Sequence, residues 1–128
     1  DSVRGATNYI TSNSTIAEAT NATSLTAFNA NGFTLGADSQ KLGVNVTGNT
    51  YVAFQWQAGW TATSNTSGSI TSNVSVNTTS GFSIVSYTGT GASATVGHGL
   101  GIAPSMVIVK VRSTTDGWFV YQKDTYPV

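Results

Sequence analysis

The sequence predicts an all-β protein, an antiparallel β-sandwich or jelly-roll-like fold with room for two small β-units. Three observations predict it. Short runs alternate apolar and polar residues with the two-residue period of a strand. Gly, Asn and Asp turn signals separate those runs. The composition also suits a pleated surface: Ser 16, Thr 21, Asn 10 and Gly 14 make up 61 of 128 residues, and Glu18 is the only Glu. β-branched Thr packs well on strands, whereas helical proteins are rich in Glu, Lys, Leu and Ala.

Residues 1–26 are polar and weakly patterned, and 15–20 (TIAEAT) is the only helix-like turn, too short to stand alone. Beyond Phe28 the pattern sharpens. Asn31-Gly32 signals a tight turn, followed by Phe33 and Leu35 in alternation. Val44 and Val46 alternate before a turn at Gly48-Asn49. Residues 51–57 (YVAFQWQ) read as a strand with Val52, Phe54 and Trp56 on a core-facing side. Residues 59–68 (GWTATSNTSG) read as a polar connection and the best module boundary, which places one β-unit at 1–59 and another at 60–128. Ile70, Val74 and Val76 then stand in a Ser/Thr/Asn background. Ser80-Gly81 turns into a strand at 82–87 (FSIVSY), and glycines punctuate 89–101. Residues 106–112 (MVIVKVR) form the cleanest strand, and Asp116-Gly117 turns into a last one at 118–121 (WFVY). A repeat of the Gly-Phe pattern, with Phe33 and Phe82 49 positions apart, is what so biased a composition gives by chance.

Charge and composition exclude several function classes. Only 8% of residues are charged and the formal net charge is zero, so there is no electrostatic basis for binding nucleic acid or an anionic membrane. No apolar stretch approaches the roughly 20 residues that span a bilayer, so membrane insertion is not expected. The 13 aromatic residues argue against disorder. Cysteine is absent, which removes disulfides and thiolate metal sites. The chain begins without Met and ends abruptly, as a piece of a longer polypeptide would.

Chemical motifs are sparse. Residues 89–94 (GTGASA) fit the G-x-G-x-x-A dinucleotide pattern, but the glycines at 97, 99 and 101 oppose the helix that pattern must open. His98 is the only histidine, and no nucleophile or ligand set accompanies it; a metal would require copies meeting on a trimer axis. Asp1, Glu18, Asp38, Asp116 and Asp124 show no spacing that selects a glycosidase pair. No cofactor, metal or catalytic residue is therefore assigned. Trp60, in a polar loop, and Trp118, beside a Gly, are the candidate ligand residues, because exposed rings stack on sugars beside amide and hydroxyl groups. The six sequons at Asn13, Asn21, Asn45, Asn65, Asn73 and Asn77 follow from the Ser/Thr/Asn content.

Residues 81–91 (GFSIVSYTGTG), 94–104 (ATVGHGLGIAP) and 107–110 (VIVK), with 32–36 (GFTLG) and 51–59 (YVAFQWQAG), carry a further signal. Together they resemble a largely uncharacterised β-domain family found in structural and fibre-like virion proteins of marine tailed bacteriophages, including cyanophages. The resemblance spans about residues 30–121, and residues 81–110 are its most specific part. It implies a non-enzymatic virion protein at the particle surface, as tail fibre, appendage or capsid decoration. The partners it implies are other virion proteins, further copies of the chain (a trimer being one arrangement) and a host-surface glycan. The alternative reading is a glycan-binding, lectin-like adhesin of a virion or cell surface.

Overall fold

The computed structural model describes residues 1–40 and 42–123. Among them the structure is all-β, without a helix. The strands are β1 (Asn8–Tyr9), β2 (Ala19–Thr20), β3 (Leu25–Asn29), β4 (Gly32–Leu35), β5 (Thr63–Asn65), β6 (Ser72–Asn77), β7 (Phe82–Ser86), β8 (Met106–Lys110) and β9 (Trp118–Gln122). Their ladders are antiparallel and form several small sheets: β1-β2, β3-β4, β5-β6-β7 and β8-β9. The exception is an isolated parallel bridge between Ile70 and Val96.

Contacts divide the chain into two compact units. One joins Asp1–Gly5 to Val52–Ala103, and the other joins Ala6–Tyr51 to the chain from Pro104 onward. The division expected at 59/60 therefore falls inside the first unit. The polar run read as a connection carries β5, which pairs Thr63 with Val74 and Asn65 with Ser72. Its residues, Thr-Ser-Asn, lack any apolar alternation. They join a sheet through backbone pairing, which the pattern of side chains does not reveal.

The first unit is centred on β6, which has a neighbour on each side. Ile70 and Val74 are its buried apolar residues, and Ser72 and Ser75 are buried beside them. Ser75 is fully buried. Its hydroxyl donates to the Gly59 carbonyl at 2.6 Å and accepts from the Ser2 hydroxyl at 2.8 Å. One side chain thus ties the N-terminal turn and the entry to β5 onto the sheet, and both bonds satisfy groups that would be costly to bury alone. The glycine-rich segment after β7 lies along the same sheet. The Ile70 amide donates to the Thr95 carbonyl at 3.0 Å, the Ser69 amide to the Thr95 hydroxyl at 2.9 Å, and the Thr95 amide to the Ser69 hydroxyl at 2.9 Å. Further along, Ser83 donates through its hydroxyl to the His98 carbonyl at 2.6 Å.

Residues 51–57 depart from expectation. They form no strand, and Val52, Phe54 and Trp56 are 79%, 75% and 69% exposed instead of core-facing. The alternation specifies a two-faced extended chain. It does not supply a ladder partner, and β6 is already paired on both edges.

In the second unit, β3 and β4 form a hairpin over Ala30 and Asn31, with Asn29 opposite Gly32. The turn thus lies one residue earlier than Asn31-Gly32. Val44 and Val46 form no strand, because the amides of residues 42–45 are turned onto Asp38. The expected Gly48-Asn49 turn also lies one residue earlier, at Thr47-Gly48, with the Asn49 amide bonded to the Val46 carbonyl. β8 and β9 pair from Met106 opposite Gln122 to Lys110 opposite Trp118. Residues 11–18 are strapped to this hairpin. The Glu18 amide donates to the Arg112 carbonyl, the Asp116 amide to the Thr15 carbonyl, and the Glu18 carboxylate accepts two bonds from the Arg112 guanidinium at 2.8 and 2.9 Å. The bidentate geometry also holds Arg112 charged to still higher pH than usual. Residues 15–20, too short for a helix of their own, form none, and the last two are β2.

Candidate functional site

Trp60 is positioned by its neighbour. Gly59 lies so close to β6 that an added Cβ would sit 2.6 Å from the Val76 carbonyl oxygen, and its own carbonyl is fixed by Ser75. The chain leaves this anchor at Trp60, which is 79% exposed. The ring is thus an apolar plate presented by a rigid attachment, next to the hydroxyl-rich run Thr61, Thr63 and Ser64. On the approach to the anchor, Trp56 stacks on Phe82 with centroids 6.2 Å apart and planes 20° off parallel. An exposed indole with nearby hydroxyl and amide groups has the chemistry of a sugar contact.

Trp118 belongs to the second unit and is held differently. It is half-buried, and its indole N–H donates to the Thr11 carbonyl at 2.9 Å. That bond occupies the only polar group of the ring. Trp118 therefore secures the strap of residues 11–18 at the mouth of the β8-β9 hairpin.

His98 borders a shallow groove of about 490 Å³ together with Ser67, Gly99, Ile102 and Ala103. Its Nδ1 accepts from the Leu100 amide at 3.1 Å, which leaves Nε2 as the protonated nitrogen of the neutral ring. The ring thus shapes the Gly97–Gly101 turn. Residues 89–94 are exposed loop, and no helix opens after them among the described residues, so the geometry of a dinucleotide site is not assembled there.

The described carboxylates are each engaged. Asp1 accepts from the Arg4 guanidinium and the Val3 and Arg4 amides. Glu18 holds Arg112, and Asp116 accepts from the Gly117 amide at 2.7 Å. Asp124 and Lys41 lie outside the described residues. Among the described residues, no three His, Asp or Glu side chains gather as a metal site would require.

The most elaborate polar centre is one that sequence reasoning passed over. Asp38 is buried, with 5% exposure, and has a positive φ of 51°. Its carboxylate accepts from the Ser24 hydroxyl in a short hydrogen bond, and from the amides of Leu42, Gly43, Val44 and Asn45 at 2.9–3.4 Å. Ser24 in turn donates its amide to the Asn21 side chain, which caps the turn before β3. The Ser24 bond foremost, and the Asn45, Val44 and Gly43 amides with it, hold the Asp38 carboxyl below the ordinary carboxylate range, against the opposing push of burial. This is an anion seated in a nest of amides, and the protein supplies the anion itself.

The sequon asparagines also have structural work. Asn21, Asn65 and Asn77 accept backbone amides two or three residues on, and Asn45 donates to the Gly36 carbonyl. Asn21 is buried, so a glycan there is incompatible with this fold. Asx turns thus give several of these Asn residues a structural role.

The fold and its surface define a class: a small, hydroxyl-rich, all-β domain that displays aromatic side chains and holds its described carboxylates in ion pairs and amide-bonded turns. Within that class the chain belongs to the family described as a domain of unknown function (DUF7483), whose model matches residues 1–127. No curated protein and no solved structure matches it.

Proposed function

We propose that the chain is a non-enzymatic structural module of a tailed-phage virion, a tail-fibre, appendage or capsid-decorating element at the particle surface. It would assemble there with other virion proteins and with copies of itself, and turn its outward loops to a host receptor. One observation carries this reading. Large apolar side chains stand exposed in both units, including Val52, Phe54 and Trp56 in the first and Met106, Ile108, Val120 and Tyr121 in the second. Monomeric proteins rarely leave such patches open, and assembly is the usual way to cover them. The resemblance of residues 81–110 to marine-phage virion proteins gives the kind of assembly. Apolar burial and backbone hydrogen bonds are also little screened by salt, which suits a marine particle. Immunogold labelling of particles, purified from a lysate of a phage that encodes the chain, is expected to mark tails or shell. A chain found only in infected cells, absent from purified particles, would sink the reading.

A second reading has its own observation, the rigidly presented indole of Trp60. A glycan-binding module would stack a sugar on it. Trp60→Ala should then weaken glycan binding at least about tenfold, the ~1.4 kcal/mol of one strong stacking contact, while Trp118→Phe leaves it unchanged. Titration calorimetry with glycans selected on an array checks this. A blank array for the unaltered chain rejects the adhesin.

A further inference from the structure

Residues 52–57 alternate apolar with polar side chains and form no helix, strand or turn, and no backbone hydrogen bond links Val52 through Trp56 to another described residue. Its backbone is anchored only past Trp56, where the Gln57 carbonyl accepts from the Ser80 hydroxyl at 2.7 Å and the Gly59 carbonyl from Ser75, while the Trp56 ring stacks on Phe82. Unpaired extended backbone with an apolar face is a template for another strand. Natural proteins defend such edges with Lys, Pro or inward charges. Here residues 42–103 contain no Lys, Arg, Asp, Glu or Pro at all.

An uncharged apolar strand offers nothing to a partner chosen by charge, but it is complementary to itself.

We propose that residues 52–57 form an intermolecular strand, paired antiparallel with the same segment of a second copy, Phe54 lying opposite Phe54. The register follows from the pleat. Facing residues of an antiparallel pair point to the same side, so apolar positions meet apolar ones only if their numbers sum to an even value. With Phe54 on the two-fold axis, Val52 faces the partner's Trp56 and Ala53 faces the partner's Gln55. All six apolar side chains then share one face and cover one another, and the open backbone groups are paired. The role proposed above needs copies to meet, and this strand is their meeting surface; a chain absent from every particle would still pair through it.

Light scattering on the purified chain is expected to give the mass of two copies or an even multiple. Phe54→Lys places like charges opposite each other and should raise the dissociation constant at least tenfold with the circular dichroism retained. Phe28→Lys, at a 52% exposed position in the other unit, should not. Should Phe54→Lys misfold, cysteine pairing decides, since the chain has no cysteine of its own. Ala53→Cys mixed with Gln55→Cys should form the mixed disulfide in preference to either homodisulfide. A monomeric unaltered chain, an odd multiple, a mass indifferent to Phe54→Lys in a folded variant, or homodisulfides as abundant as the mixed one would each overturn the assignment. A monomer would leave the strand to a different protein.

Discussion

Alanine at position 68 is expected to lower the stability of the β5-β6-β7 unit by about 2–3 kcal/mol, the upper range for overpacking a closed contact. Gly68 lies where residues 68–70 run beside residues 95–97. A Cβ there would stand 2.5 Å from the Thr95 carbonyl oxygen and 3.1 Å from the Gly97 amide nitrogen. Both are backbone atoms, so no side-chain rotation relieves the clash. The strands would have to part, and with them the Ile70 bond to Thr95 and the reciprocal Ser69 and Thr95 hydroxyl bonds. Gly89 is the matched control, since its Cβ would meet nothing within 4 Å. Gly89→Ala should stay within about 0.5 kcal/mol of the parent, as surface substitutions do. Urea midpoints for the two variants make the comparison. Equal midpoints would mean that the close approach of these two segments is not a feature of the folded chain.

Asp38→Asn is expected to loosen the turn from Gly36 to Val46 and to remove a specific part of the protein's acid sensitivity. Asn tolerates the positive φ of position 38, so the backbone is respected while the charge is removed. The amide NH₂ replaces one acceptor oxygen with a donor, and it faces a nest of donors at Leu42, Gly43, Val44 and Asn45. The sign of the pH effect follows from the lowered pKa. A carboxyl held below its ordinary value of 3.8 contributes stability above that value and loses it as pH falls through the depressed one. The parent should therefore exceed the variant in thermal midpoint near neutral pH, and the gap should close in acid, from about pH 4 downward. The other carboxylates are common to parent and variant, so the gap between the two, rather than either curve alone, is the readout. A gap that is constant with pH would show that the carboxylate's charge does not hold the nest.

Part of the strand order was legible in the sequence, and the reasons differ by element. β4 and β7 to β9 coincide closely with alternating runs beside Gly, Asn, Asp or Pro, because there a pleated face and a turn both leave marks on residue choice. β5 left none, since Thr63, Ser64 and Asn65 contribute backbone alone. Residues 51–57 carried the marks of a strand but not the identity of a partner, which no local pattern encodes. Ser75 misleads in another way. Alternation between Val74 and Val76 places it on the outward face, and it is outward, but residues from the N-terminus and Gly59 cover that face. Of the two aromatic candidates, exposure was legible for Trp60 from its polar loop. The anchoring of Trp118 to Thr11 spans 107 positions and is invisible to any window of sequence. The Asp38 nest could have been suspected from an Asp followed within a few residues by Gly43, but a single Asp before a turn is too common to single out.

The serine-lined interior of the first unit has a thermal consequence. Where Ser72 and Ser75 occupy positions that Val or Leu would fill elsewhere, unfolding exposes polar surface in place of apolar surface. Apolar exposure raises the heat capacity on unfolding and polar exposure lowers it. The unit's heat-capacity increment should fall below the usual ~12–15 cal/mol/K per residue, and its stability curve should be correspondingly flat. A domain built this way gives up maximum stability for evenness, varying little in stability between cold water and warm.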